Sequence, residues 1–225
     1  MKDNWLIFND KFILFENLYY DLIQIAKKSI IQKGFFNLVL TGGNSILGLY
    51  RYLRKANAEF DKWFIYISDE RFLPKDHENR NDRHIYELWL DKIFIPKKNI
   101  KFIKPELGLD LARKDYEQKL CRIESFDLVI LSVGDDGHIS SLFPGHNYDE
   151  NQLVIIEKNS PKPPQKRISM SYKMLNNTKN LFKIIIGNEK KHILKKMIDG
   201  ASLPVNSISG KKEKVFIHNS LFQKS

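Results

Sequence analysis

Four apolar runs of strand length in this chain break off into glycine-bearing or charged segments just where a helix would begin. They read LVLTGGNS, FIYISDER, LVILSVGDDGH and FKIIIGNEKK. Strand-length runs lie at 35–41, 63–68, 100–104, 126–133, 153–157, 168–172, 181–186 and 215–218. Between many of them apolar residues recur at helical spacing: Leu18, Leu22, Ile25, Ala26 and Ile30; Leu47, Tyr50 and Leu53, with Arg54 at the edge; Ile85, Leu88, Trp89 and Lys92 or Ile93; Ile193, Leu194, Met197 and Ile198. Strands alternating with helices predict an α/β fold with a mainly parallel sheet flanked by helices. In open parallel sheets ligands sit at the carboxyl ends of the strands. Four chemistry-bearing ends on one edge therefore point to an enzyme or a small-molecule site.

The chain has 225 residues, 42% of them hydrophobic, enough to bury a sizeable core. There is no internal repeat, and the one proline-rich stretch, SPKPPQKR at 160–167, is too short for a domain boundary, so a single domain over 1–225 is expected. One cysteine, Cys121, excludes an internal disulfide and fits a reducing compartment. No apolar run reaches transmembrane length, and the apolar start MKDNWLIFNDKF is broken by Asn9 and Asp10. A cytoplasmic protein with no membrane partner is expected. The net charge of +10 is uneven: 158–225 carries 15 Lys+Arg against 3 Asp+Glu, and 1–157 carries 22 against 24. A basic last third points to an anionic partner, a nucleic acid or a phosphorylated metabolite. The tail SISGKKEKVFIHNSLFQKS is too mixed for a basic arm, and no aromatic-interleaved basic stripe is present, so no nucleic-acid partner is expected. Nothing in the sequence fixes an oligomeric state.

TGGNS offers a phosphate cradle. Gly42 and Gly43 allow a tight turn with exposed N–H groups, the following helix adds its positive end, and Thr41, Asn44 and Ser45 add side-chain hydrogen bonds. The same residues also serve a plain capped strand-to-helix turn. Neither the P-loop nor the dinucleotide glycine pattern is present. SDERFLPKDHENRN places Asp69, Glu70 and Arg71 at a strand end. Arg71 supplies a planar fork for phosphate or carboxylate, or else half of a structural acid–arginine pair. In GDDGH, His138 follows a flexible turn beside Asp135 and Asp136. A neutral histidine oriented by a carboxylate deprotonates water near neutral pH. His77, His84, His192 and His218 have weaker settings, and His146 is a candidate lid residue. Lys162, Lys166 and Arg167 put fixed positive charge on a proline-stiffened loop, and Lys190 stands at a helix start. Metal binding lacks HxxxH, HExxH or a cysteine pair, and nucleophilic catalysis lacks GxSxG. Water remains as the nucleophile, or proton transfer on a bound substrate.

These segments resemble the 6-phosphogluconolactonases over about residues 35–205. The specific parts are DER-x-x-P-x-D-H, DGH-x-x-S-L-F-P-G and S-P-K-P-P-x-x-R, in that order. The resemblance implies a Rossmann-like α/β fold, hydrolysis of 6-phospho-D-glucono-1,5-lactone, a phosphosugar lactone as the small-molecule partner, and neither metal nor organic cofactor. It implies that His138 is the general base. It gives substrate contacts to the TGG turn, Thr41, Gly42 and Gly43, and to Arg71, Lys162 and Arg167, and matches Lys190 to the lysine of related deaminases. To these the residues themselves add Asn44 in the phosphate cradle and Asp136 or Asp69 as the group that orients His138. Asn44-Ser45-Ile46 replaces the usual Ser-Thr-Pro, Ser132-Val133 precedes Gly134 in place of Gly-Met, and Arg80 replaces the usual Ser. The nearest alternative is a glucosamine-6-phosphate deaminase/isomerase, whose histidine is followed by an Asn-Glu pair that GHISSLFPG lacks.

Overall fold

A computed structural model describes residues 3–222. The first half runs β1 (Trp5–Phe8), α1 (Lys11–Lys33), β2 (Phe36–Leu40), α2 (Leu47–Leu53), β3 (Trp63–Ile67), β4 (Asp69–Arg71), α3 (Asn81–Leu88), β5 (Ile100–Lys101) and α4 (Leu109–Leu120). The second half runs β6 (Leu128–Ser132), β7 (Val154–Glu157), β8 (Arg167–Met170), α5 (Tyr172–Asn176), β9 (Asn180–Ile185), α6 (Lys191–Ile198), α7 (Pro204–Ser207) and β10 (Lys212–His218). Seven strands form one sheet in the order β1-β10-β9-β6-β2-β3-β5, all pairs parallel. β4, β8 and β7 form a small antiparallel sheet beside it.

The central strands read as near-continuous apolar runs because helices cover both faces of the sheet: every residue of β2 is buried. α1 starts where Asp10 accepts the N–H groups of Phe12 and Ile13, at 2.6 and 3.1 Å. It stops at Gly34, whose left-handed φ of 84° lets its N–H reach the Ile30 carbonyl. From β2 the chain steps outward to β3 and β5, then returns to place β6 on the other side of β2. That reversal opens a crevice at the carboxyl ends of β2 and β6, the position where such sheets bind ligands.

The parallel α/β architecture agrees with the sequence, and three features differ. Runs 153–157 and 168–172 lie outside the main sheet: β7 and β8 pair antiparallel and take β4 as their third strand. Ser68 joins the two sheets, its N–H on the Leu40 carbonyl at 2.7 Å and its carbonyl accepting from Met170 N–H at 2.8 Å. The expected helix through Trp89 to Lys92 or Ile93 ends at Leu88. There the fully buried Trp89 is held among Tyr50, Phe60 and Trp63, with ring centroids 5.8–6.4 Å away, and takes φ −139°, ψ −66°. β1, β4 and α4 were not signalled by the apolar pattern; β4 is three residues of charged sequence, and strand pairing alone defines it.

Candidate active site

The segment after β6 closes on itself. Gly134 N–H donates to the His138 carbonyl at 2.9 Å and Gly137 N–H to the Gly134 carbonyl at 3.2 Å. Gly137 sits at φ 88°, a conformation that costs a side-chain-bearing residue energy. Within this turn Asp136 Oδ1 accepts both the backbone N–H of His138, at 2.9 Å, and its ring Nδ1, at 2.5 Å. A carboxylate on Nδ1 fixes the proton there and leaves Nε2 with its lone pair. The Phe143 ring lies 4.8 Å from the imidazole, tilted 37°. Burial works against the Asp136 charge, but the hydrogen bonds from His138 outweigh it and hold its pKa below the ordinary carboxylate value.

His138 opens on a cleft of about 240 Å³ at the carboxyl ends of the strands. The TGGNS turn after β2 lines it with Thr41, Gly42, Gly43, Asn44 and Ser45. Gly42 is required by its neighbour: a Cβ there would stand 1.9 Å from Asn81 Oδ1. Asn81 in turn donates its Nδ2–H to the Asp69 carbonyl at 2.9 Å, coupling the turn to β4. The residues of DER divide their labour. Asp69, 4% exposed, accepts the Ser141 hydroxyl at 2.6 Å and lines the cleft. Glu70 is fully buried and accepts N–H groups of Arg71, Asn81 and Asp82 at 2.7–2.9 Å, capping α3 from outside the helix. The acid–arginine pair that the sequence left open falls to Glu70 and Arg80, 3.9 Å apart, and not to Arg71. Arg71 lines the cleft, its Nη1 on the Asn79 carbonyl at 2.6 Å and its Nε buried without a partner among the described residues.

Three more cations complete the walls. Lys190 Nζ donates to Ser45 Oγ at 3.1 Å, tying the end of β9 to the TGGNS turn. Burial, with the positive charge of Lys162 adding to it, pulls the Lys190 pKa down to about 8. Arg167 is 4% exposed; its Nη2 and Nε donate to the Lys162 and Pro164 carbonyls at 2.9 and 3.1 Å, and its guanidinium lies 5.4 Å from the Phe143 ring centroid. Lys162 is ion-paired with Asp135, and burial, then Arg167, lower its pKa.

Ten of the expected site residues therefore line one cleft: Thr41, Gly42, Gly43, Asn44, Asp69, Arg71, His138, Lys162, Arg167 and Lys190. Asp136 stands behind His138. Of the two acids offered as its orienting group, Asp136 makes the contact and Asp69 engages Ser141. Lys166 is exposed and outside the lining. His146, the candidate lid residue, bonds Glu157 at 2.8 Å. Sequence reasoning missed Ser140, which lines the cleft with a left-handed φ of 54° and a buried hydroxyl that has no partner among the described residues. It also gave no role to Asn81, which entered only as the asparagine that Arg80 precedes in place of the family's usual Ser.

Asp135, Asp136 and His138 bring one potential ligand atom each within 4.8 Å of one another. All three are already engaged, Asp136 with His138 and Asp135 with Lys162. Four cations (Arg71, Lys162, Arg167 and Lys190) against three carboxylates (Asp69, Asp135 and Glu189) leave the cleft lining a net +1, which suits an anion.

A doubly flanked parallel sheet whose strand ends gather a histidine–carboxylate pair, a glycine turn and four cations in one cleft has the arrangement of an α/β enzyme. Residues 9–217 match the family described as glucosamine-6-phosphate isomerases/6-phosphogluconolactonase, and the chain belongs to it. It is 29% identical to 6-phosphogluconolactonase 3, chloroplastic, of Arabidopsis thaliana, over 89% of this chain and 70% of that one. It is 33% identical to the Rattus norvegicus 6-phosphogluconolactonase, over 74% and 70% of the two chains. The crystal structure of the Thermotoga maritima 6-phosphogluconolactonase superposes with a TM-score of 0.89 at 26% identity, covering 95% of this chain and 98% of that one. No helix among the described residues is long and apolar enough to cross a membrane.

Proposed function

We propose that this chain, acting as one domain, hydrolyses 6-phospho-D-glucono-1,5-lactone to 6-phospho-D-gluconate in the oxidative pentose phosphate pathway. The observation that carries the reading is the Asp136–His138 contact of 2.5 Å at the mouth of a cation-walled cleft. The substrate phosphate docks on Gly42, Gly43 and Asn44, with Lys190 and Arg71 countering its charge. His138 Nε2 takes a proton from water as the water oxygen bonds to the lactone carbonyl carbon. The carbonyl oxygen becomes an oxyanion, which Lys162 and Arg167 stabilise. The bond from that carbon to the ring oxygen then breaks, and the imidazolium returns its proton to the leaving oxygen. The new carboxylic acid ionises, and His138 is neutral again. Asp136 holds the tautomer throughout and stabilises the imidazolium. We assign the protein to the cytoplasm, where the exposed, unpaired Cys121 stays reduced.

The test is lactone hydrolysis by the purified chain, corrected for the spontaneous rate, beside His138→Ala with its fold checked. Wild type no faster than buffer rejects the activity; an active wild type matched by the variant rejects the role of His138. The deaminase alternative is countered by the sequence, because GHISSLFPG lacks the Asn-Glu pair that follows the histidine in those enzymes. Glucosamine 6-phosphate should therefore release no ammonium.

A further inference from the structure

α1, α2 and the segments flanking α2 border a second, half-open hollow, of about 840 Å³, that the proposed reaction does not use. It shares one lining residue with the active-site cleft, Asn44. The floor exists because Gly48 has no side chain: a Cβ there would stand 2.2 Å from the Phe15 ring, so the glycine lets α2 settle against α1. The walls are aromatic. Tyr19 and Tyr52 lie with ring centroids 6.0 Å apart, the Tyr52 hydroxyl donates to the Phe12 carbonyl at 3.3 Å, and the Phe12 residue is 74% exposed.

The rim carries Lys11, Arg51, Arg54 and Lys55, and no carboxylate lines the hollow. Among the described residues none of these four cations is ion-paired, whereas Arg83, Arg113 and Lys119 on other helices each pair with an acid one turn away. Clustered, uncompensated positive charge in the same hollow as aromatic side chains is complementary to a ligand with a planar apolar body and more than one negative charge. The volume lies in the range of small-molecule sites, about 300–1,000 Å³.

We propose that this hollow binds a nucleoside diphosphate as an effector. The base rests on Phe12, Tyr19 and Tyr52, the diphosphate on Arg51, Arg54 and Lys55, and occupancy reaches the lactone cleft through Asn44. The binding half stands alone; the effector half rests on the lactonase reading.

Calorimetric titration of the full chain with ADP, in saturating 6-phosphogluconate to fill the active site, tests it. The expected result is saturable binding with a Kd below about 1 mM. It should be tighter than pyrophosphate binding and weakened at least about tenfold in the R51E/K55E double variant. The double variant keeps the wild-type kcat/KM for lactone without ADP, and saturating ADP changes the wild-type KM. Several results overturn the proposal: no binding, equal binding to the double variant, displacement by 6-phosphogluconate, pyrophosphate binding as tightly as ADP, or a KM that ADP leaves unmoved. A wild type without lactonase activity refutes the proposed function instead, and the titration still decides the site.

Discussion

The backbone of Gly134 lies against the imidazole of His138: a Cβ built on Gly134 would stand 2.1 Å from both Nδ1 and Cε1 of the ring. The imidazole is also held at Nδ1 by Asp136 and flanked by the Phe143 ring. Gly134→Ala should therefore push the ring out of place without disturbing β6, which ends at Ser132. Displacing a catalytic group by about 1 Å costs on the order of 10²-fold. We expect kcat/KM for the lactone to fall by about that factor while circular dichroism and melting temperature stay near wild type. An alanine variant with full activity would show that the ring is not confined there.

Asp136→Asn separates orientation from charge. The amide keeps the shape but removes the negative charge beside Nδ1 and lets the ring adopt the other tautomer. General-base catalysis contributes about 10²–10⁴-fold, so kcat should drop by at least about 10²-fold with KM little changed. The Asp136 pKa is lowered in the folded state, so its contribution is present above the ordinary carboxylate range and is lost as pH falls through the folded value. Asp136→Asn should destabilise the protein more at neutral pH than in acid, which thermal melts across pH measure.

The sequence carried the site further than it carried the topology. Glycines and charges at strand ends are local signals, and four such ends meet at one crevice because parallel strands align their carboxyl ends. What escaped were residues acting at a distance. Glu70 looked like half of an acid–arginine pair at a strand end, yet it caps α3 eleven residues later in the chain. Asn81 sits in a polar stretch with no distinctive spacing, and only the fold brings its amide onto Gly42. Ser140 is indistinguishable in sequence from any serine in a turn; its left-handed φ is the feature that marks it. β4 went unseen because three charged residues carry no strand period, and its partner β8 lies about a hundred residues away.

In the proposed binding mode, Lys190 should make phosphate affinity depend on pH. Its pKa is held down to about 8 by burial and by Lys162, so the free enzyme loses this charge as pH rises through that value. A bound phosphate favours the charged form, so above about pH 8 binding takes up a proton and weakens. KM should rise on the alkaline side with kcat less affected. Lys190→Arg, charged throughout, should flatten that rise, and Lys190→Met should raise KM at every pH. Initial rates from pH 6.5 to 9.5, corrected for spontaneous hydrolysis, decide it; equal slopes for wild type and the arginine variant would remove Lys190 from the phosphate site.

Stability is anchored at the opposite end of the sheet. Asp127, fully buried before β6, accepts the Asn37 N–H at 2.8 Å and pairs with Lys33 at 2.8 Å and Lys179 at 3.1 Å. One carboxylate thus ties the starts of β2, β6 and β9 to the end of α1. Asp127→Asn keeps the volume but loses both ion pairs, and its amide cannot replace all three interactions. Removing one partner from a fully buried pair costs about 3–5 kcal/mol, and the two lysines here are part-exposed, so about 2 kcal/mol is expected. For a chain of this size that lowers Tm by roughly 4–8 °C. Because the catalytic cleft lies at the carboxyl ends of these strands, kcat/KM per folded molecule should stay at the wild-type value. Denaturant unfolding and lactone hydrolysis on the same preparation test both halves. An unchanged midpoint would show that the lysine contacts contribute nothing net, and a large fall in kcat/KM would show that the two ends of the sheet are coupled.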